Sequence, residues 1–322
     1  MTLCGQPFSL RLSVTDRCAL RCLYCAAAEG FAFAPRDEQL SFEEIVAFAR
    51  VLKTSFGLSK VRLTGGEPLQ RAGFEKLVEM LAALGVGDLA MTTNGQLLAG
   101  KTAALKQAGL RRVNVSLDSL DPDNYRALVR GGELRRTLAG IEAALSAGLT
   151  PLKLNMVVMR GRNDHEALAL ARFGMELGCD VRFLELMPIG VAAAEFDRHF
   201  VSSAEVRARL AAEFEFTPLP EEPAESSRDF VAEHRSGRTA TIGFISPYSQ
   251  PFCGGCRRLR LTSTGVLMGC LARSQGVPLA PHLRGRAEPD REAIIAAVEA
   301  AVRLKRTDGE FVQPREMVGI GG

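Results

Sequence analysis

Six short apolar segments, at residues 9–14, 60–64, 89–93, 112–117, 152–158 and 181–186, alternate with helical patterns through the first part of the chain. Strands separated by whole helices cannot pair as tight hairpins, so each returns to the same end of a sheet and the strands run parallel. The helix opening at Ser41 shows the local logic. Ser41 and Glu44 make a capping box, Phe42, Ile45, Val46, Ala49 and Leu52 share one face, and Gly57 stops the helix. Helical patterns at 74–84, 134–147 and 164–177 likewise run into Gly85, Gly148 and Gly178. The expectation is an α/β fold of six β/α units, its parallel sheet either open or curled into an incomplete barrel.

The rhythm changes after Met187. Residues 218–229, with three prolines, four acids and two serines, read as a solvent loop or linker. Two hairpins are expected beyond it, 230–234 with 239–244 and 257–262 with 266–270, followed by a helix near 291–304. The chain therefore divides into 1–190 and 191–322, a β/α part and a hairpin-rich part.

With 322 residues the chain can bury a full core, and a formal net charge of only +3 gives no ground for nucleic acid or an anionic membrane as partner. Without a leader-like start or a long apolar run, a cytoplasmic location is expected. In that reducing compartment the eight cysteines are expected to stay out of disulfides. Cys4 and Cys179 read as buried small hydrophobes, and the other six form two tight groups, the pattern of metal chemistry.

Cys18-x3-Cys22-x2-Cys25 follows the first strand directly, at the end where parallel sheets keep their active sites. Three thiolates on one loop suit three irons of a four-iron cubane, with one iron left open; the competing zinc reading wants four ligands in two separated pairs. Cys253-x2-Cys256-x13-Cys270 is less decisive, since a zinc ribbon completed by His282 or Cys4 has similar spacing. A hairpin turning at 263–265 sets Cys256 nearly opposite Cys270, and strand parity puts Cys256, Arg258 and Arg260 on one face. Arg11, Arg62, Lys153 and Arg182 lie in or at the starts of otherwise apolar strands, where each buried cation needs a partner. Either acids at strand ends pair them one by one, or together they meet a polyanion such as a nucleoside triphosphate.

The first triad, with Tyr24 before its last cysteine, and the Gly65-Gly66-Glu67-Pro68 segment resemble the radical S-adenosylmethionine (radical SAM) superfamily. From about residue 11 to the end the chain resembles, within it, the GTP 3′,8-cyclase family of molybdenum-cofactor biosynthesis. The stretches that carry this are 13–18, 62–68, 92–95, 115–120, 182–188, 243–246 and the final Gly321-Gly322. The resemblance implies an incomplete radical SAM barrel over 1–190 and a C-terminal region over 191–322 carrying a second cluster. It implies two [4Fe–4S] clusters, on Cys18, Cys22 and Cys25 and on Cys253, Cys256 and Cys270. S-adenosylmethionine would lie against Tyr24, Gly66, Ser116 and Met187. GTP would lie against Arg11, Arg62, Thr92, Lys153, Arg258 and Arg260, with Arg182, Arg258, Arg260, Gly321 and Gly322 acting in catalysis. The implied reaction is radical cyclisation of GTP to 3′,8-cyclo-7,8-dihydroguanosine triphosphate, by a monomer or homodimer, with hand-off to a cyclic pyranopterin monophosphate synthase. Ala26-Ala27, Gln70 and Arg257 depart from residues frequent in the family and leave room for a paralogue with another nucleotide or peptide substrate. A non-enzymatic iron–sulfur or zinc protein would need neither the strand-borne cations nor Gly65-Gly66-Glu67.

Overall fold

The computed structural model describes residues 7–221, 225–286, 288–306 and 310–321. Along the first part run β1 (Phe8–Ser13), α1 (Phe42–Phe56), β2 (Leu58–Thr64), α2 (Phe74–Ala83), β3 (Asp88–Thr93), α3 (Thr102–Gln107), β4 (Arg112–Ser116), α4 (Pro122–Val129), α5 (Leu134–Ser146), β5 (Lys153–Val158), α6 (Ala167–Leu177) and β6 (Asp180–Glu185). The second part adds α7 (Phe196–His199), α8 (Ser203–Leu210), β7 (Phe214–Pro218), β8 (Arg228–His234), β9 (Thr239–Ile245), β10 (Arg258–Leu261), β11 (Val266–Met268), β12 (Val277–Pro278), α9 (Arg291–Arg303) and α10 (Met317–Ile320). The capping box of α1 is in place: Ser41 Oγ accepts from Glu44 N at 3.1 Å, and Ser41 N donates to the Glu44 carboxylate at 2.7 Å.

Among the described residues one 12-stranded sheet holds every strand, in the order β12-β11-β10-β1-β2-β3-β4-β5-β6-β9-β8-β7. β1 to β6 lie side by side in chain order, all parallel. Both expected hairpins exist, yet they build no sheet of their own. β10 anneals parallel to β1 and β9 parallel to β6, and their partners continue antiparallel outward. An unclosed barrel leaves two edges with unpaired backbone groups, and the two hairpins satisfy them. Among the described residues the two-residue β12 and the five-residue β7 are the edges.

Parallel strands buried on both faces are usually apolar throughout; these alternate. Leu10, Leu12, Val61, Leu63, Leu89, Met91, Val113, Val115, Leu154, Met156, Val181, Phe183, Leu259 and Leu261 all belong to one buried core, with Phe48 and Leu52 of α1, Leu77 and Leu81 of α2 and Val298 of α9. Each such side chain stabilises the fold by roughly 1.5–3 kcal/mol. Many of the intervening residues, among them Arg11, Arg62, Thr92, Asn114, Asn155, Arg182 and Arg260, are polar, and they face the lumen by strand parity.

Residues 164–166, expected as the first turn of a helix, form a 3-10 turn instead. The buried Glu166 carboxylate accepts from Ser119 Oγ at 2.7 Å and Leu120 N at 2.8 Å, contacts that hold the turn against the β4 loop. The linker expected over 218–229 is shorter, because Pro218 closes β7 and Arg228 opens β8. Among the described residues no helix is long and apolar enough to cross a membrane.

Candidate active site in the barrel lumen

The first triad lies in the loop after β1. That loop is fastened to the end of α4 by Arg21 N donating to Val129 O at 2.9 Å and Leu23 N to Leu128 O at 3.0 Å. Cys18, Cys22 and Cys25 are all free thiols. Burial pushes each one up, Cys25 to about 12, and the neighbouring cysteines add to the effect at Cys22 and Cys25. Three half-buried thiols that resist ionising together are relieved by positive metal among them, and each can take a separate iron of a cubane. Among the described residues no three His, Cys, Asp or Glu side chains converge on one ion as mononuclear zinc requires. The donor set fits a cluster.

The glycines at the end of β2 make a close approach that no other residue allows. An added Cβ would lie 2.3 Å from Thr15 O at Gly65, and 2.4 Å from Arg17 O at Gly66. Gly66 N donates to Thr15 O and Glu67 N to Arg17 O, both at 2.7 Å, stitching this segment to the approach to Cys18. The buried Glu67 carboxylate accepts from Thr93 Oγ1 and Asn94 N at 2.8 Å each and Leu69 N at 3.1 Å; burial raises its pKa to about 7. Tyr24 is oriented by donating from its hydroxyl to Asp118 Oδ2 at 2.7 Å, while Val157 N donates to Oδ1 at 2.9 Å. Burial raises Asp118 to about 6. Ser116 closes β4 beside Asn155, and Met187 lies two residues past β6. Tyr24, Gly66, Ser116, Met187 and the first triad therefore share the C-terminal end of the parallel sheet.

Below that end the register lines up the cations. Arg11 of β1 is level with Arg62 of β2 on one side and Arg260 of β10 on the other. Burial, then Arg260, Arg258, Arg62 and Arg182, hold the Arg11 guanidinium well below its ordinary range; Arg62 and Arg260 are each lowered to about 9, chiefly by burial. Some of the acids expected at strand ends are present. Lys153 pairs with Asp180, Arg182 with Asp229 at 3.1 Å, and Arg112 Nε with Asp88 at 2.8 Å. Among the described residues, however, no carboxylate pairs with Arg11, Arg62 or Arg258. Asn114 Oδ1, Asn155 Oδ1 and Arg182 Nε are buried with no partner. Thr92 lies across from Asn114, whose Nδ2 donates to it at 3.4 Å. Unpaired cations with orphaned polar atoms in one lumen suit an anionic, hydrogen-bonding ligand.

Because β10 runs parallel to β1, its beginning lies at the opposite end from the first triad. Cys256 precedes Arg258 by two residues, and the Arg260–Met268 pairing carried outward sets Cys270 across from Arg258. Cys256 and Cys270 thus leave the hairpin at one end, offset by two positions where the sequence suggested near opposition. Cys256 N donates to Cys253 O at 3.2 Å in the preceding turn. Two residues the sequence did not single out grip this triad. Lys305 Nζ donates to Cys256 Sγ at 3.6 Å, Arg258 O at 2.6 Å and Gly269 O at 3.0 Å. The buried Arg306 donates from Nε and Nη2 to Cys253 Sγ at 3.3 Å each. Burial raises the Cys256 thiol, but Lys305 and Arg258 outweigh it and hold the group below its usual range. Gly269 lets α9 come this close, since a Cβ there would lie 1.9 Å from Ala301 O.

The chain end returns to the lumen: Arg260 Nη1 donates to Gly321 O at 2.5 Å, and a Cβ on Gly321 would lie 2.7 Å from that of Ser13. Gly322 and Cys4 lie outside the described residues, and Cys179 is buried in the apolar core.

The chain matches the family model described as the radical SAM superfamily over residues 12–174 and that described as Molybdenum Cofactor Synthesis C over residues 179–311. It is 46% identical over 296 residues to a GTP 3′,8-cyclase of Pseudomonas savastanoi pv. phaseolicola, covering 90% of this chain and 88% of that protein. It is 42% identical over 317 residues to one from Moorella thermoacetica, covering 97% of each. Among solved structures, Streptococcus suis SuiB bound to its precursor peptide SuiA superposes with a TM-score of 0.64 at 14% identity, over 94% of this chain and 68% of that one. Methylornithine synthase superposes with a TM-score of 0.52 at 19% identity, over 95% and 86%. At those identities the two structures bear on the fold alone.

Proposed function

The chain belongs to the GTP 3′,8-cyclase family of radical SAM enzymes, and from that premise we propose how its lumen divides the work. It is a lyase that acts with [4Fe–4S] and S-adenosylmethionine cofactors. When bound, these supply the 5′-deoxyadenosyl radical that takes hydrogen from the GTP ribose and starts closure onto guanine.

Cys18, Cys22 and Cys25 hold the first cluster, and Gly66, Tyr24, Ser116 and Met187 seat the adenosylmethionine beside it. Arg11, Arg62, Arg260 and Lys153 fix the triphosphate, Thr92 adds a hydroxyl, and Arg258 and Arg182 flank the reacting nucleoside. Cys253, Cys256 and Cys270 would hold a second cluster at the end of the lumen where the base is presented, and the chain end at Gly321 lies along the ligand. Residues 1–190 thus generate the radical and supply most of the cations for the triphosphate, while 191–322 add Arg258, Arg260 and the second triad. Positioning is the protein's chief contribution, because a radical held in a lumen away from water reacts with what is aimed at it. The product goes on to a cyclic pyranopterin monophosphate synthase in the cytoplasm. The observation that carries this reading is the level row Arg260-Arg11-Arg62, in which Arg11 and Arg62 lack a carboxylate partner among the described residues.

An anaerobic assay of reconstituted protein with GTP, S-adenosylmethionine and dithionite tests it. Both 5′-deoxyadenosine and a cyclised GTP product are expected. Deoxyadenosine with intact GTP would overturn the substrate assignment.

A further inference from the structure

The two cysteine triads sit in opposite electrostatic surroundings. Around the first, Cys18 Sγ accepts only from neutral donors, Leu20 N at 3.4 Å and Asn94 Nδ2 at 3.8 Å. Acids stand close by: the buried Glu67, whose N–H donates to Arg17 O beside Cys18, the buried Asp118, which accepts from the Tyr24 hydroxyl beside Cys25, and the half-buried Glu316, whose Oε1 accepts from Ala27 N at 3.2 Å. Arg21 is a cation that acts back on Cys18 and Cys25. Around the second triad two of the donors are cations, beside the neutral Arg258 N–H at Cys256. Lys305 bonds Cys256 and Arg306 bonds Cys253 through two nitrogens, and Arg258 adds its charge.

We propose that Lys305 and Arg306 are positioning residues that set the second cluster at a higher reduction potential than the first, so that this cluster takes up an electron first and holds it at the substrate end of the lumen. This rests on the reading above that Cys253, Cys256 and Cys270 carry a cluster. Reduction adds one electron and one negative charge to a thiolate-ligated cluster, and hydrogen bonds and positive charge at its sulfurs stabilise the reduced form. The acids around the first triad act in the reverse sense. Each couple exchanges one electron with a low-potential chemical reductant such as dithionite, and no proton or bond change is required.

Lys305 has a second duty that fixes the geometry. Its ammonium also donates to the Arg258 and Gly269 carbonyls, one on each arm of the β10–β11 hairpin, so the charge stays beside Cys256. Arg306 is held in the same way by donating to Pro247 O at 2.9 Å and by lying 4.4 Å over the Phe311 ring. Both are consecutive residues just past α9, and the Gly269 contact with Ala301 sets that helix end against the triad.

The test is an anaerobic potentiometric titration followed by electron paramagnetic resonance on the reconstituted full chain. Variants lacking either triad, Cys18, Cys22 and Cys25→Ala or Cys253, Cys256 and Cys270→Ala, assign the signals. In the unaltered chain the second-triad signal is expected to appear at the higher potential. Lys305→Met and Arg306→Met should each move that signal down by about tenfold in the reduction equilibrium, about 59 mV for one electron. The first-triad signal should stay in place, and Lys305→Arg and Arg306→Lys should restore most of the shift. If the first triad is reduced at the higher potential in the unaltered chain, or if both Met variants keep a cluster at an unchanged potential, the proposal is wrong. Absence of any second-triad signal, with iron for one cluster only, would instead remove the two-cluster reading on which it rests.

Discussion

Replacing Arg11 with Met should move two measurements in opposite directions. Adjacent strands lie about 4.8 Å apart, so the guanidinium of Arg11 has like charges on both sides, from Arg62 and Arg260. Two such charges at roughly 6 Å repel by about 3 kcal/mol at an effective dielectric of 20, and water in a half-open lumen reduces this to about 1 kcal/mol per neighbour. Methionine keeps most of the apolar stem and removes the charge. The ligand-free protein should therefore gain about 2 kcal/mol, or a melting temperature higher by about 4 °C. On the proposed role of Arg11 at the triphosphate, the same change removes a charge-assisted contact to phosphate, worth about 1.5–3 kcal/mol, so GTP should bind about 10- to 150-fold more weakly. Thermal melts of anaerobically reconstituted protein with and without GTP read both effects, since a ligand raises stability only through its affinity for the folded state. A variant that melts lower without GTP and still shows the full GTP-dependent rise would refute the reasoning, and would make Arg11 a structural residue.

Four further outcomes are expected. Asp118 and Glu67 have folded-state values of about 6 and about 7, above the ordinary carboxyl range, so the native state binds more protons and stability falls as pH rises from about 4 to 7. Asp118→Asn should flatten the lower part of that slope in denaturant titrations across pH, and an unchanged slope would count against the burial argument. Gly66→Ala places a methyl 2.4 Å from Arg17 O and should displace the approach to Cys18, which iron content and the charge-transfer absorbance of the first cluster would show as lost occupancy. Arg258→Ala should slow formation of cyclised product at least tenfold while leaving first-cluster absorbance intact, and loss of both would point to a structural role. Removing Gly321 and Gly322 frees Arg260 from the Gly321 carbonyl; deoxyadenosine formation should persist while the cyclised product disappears from the chromatogram.

The β/α half was legible because its signals are local: a capping box at Ser41, a left-handed glycine at Gly57 and alternation in each strand. Parity alone also placed Arg258 and Arg260 on one face. What the sequence withheld was the pairing of β10 with β1, between residues such as Ser9 and Arg258 that lie about three-quarters of the chain apart. No local pattern specifies that contact, and without it Arg260 has no reason to stand beside Arg11. Lys305 and Arg306 were invisible for a different reason. Basic residues just past an amphipathic helix are ordinary partners of its negative end, and only the close approach at Gly269 turns them toward cysteine sulfur. β7 escaped notice because its five residues form an edge with one side paired.

The precision of the site comes from the apolar core rather than from the polar residues themselves. β10 carries the fully buried Leu259 and Leu261 on one face and Arg258 and Arg260 on the other. A slip of one residue against β1 would turn both leucines into the lumen and both guanidiniums into the core. Two leucines would each forfeit roughly 1.5–3 kcal/mol, and each uncompensated buried cation would cost several kcal/mol more. That penalty approaches the whole stability of an ordinary domain, so the register is held far more tightly than function alone would demand. The same register fixes Arg260 level with Arg11, puts Cys256 at the end away from Cys18, and hands the Cys270 arm to Lys305. Alternation written for folding is thus what keeps two cysteine triads at opposite ends of one cationic lumen.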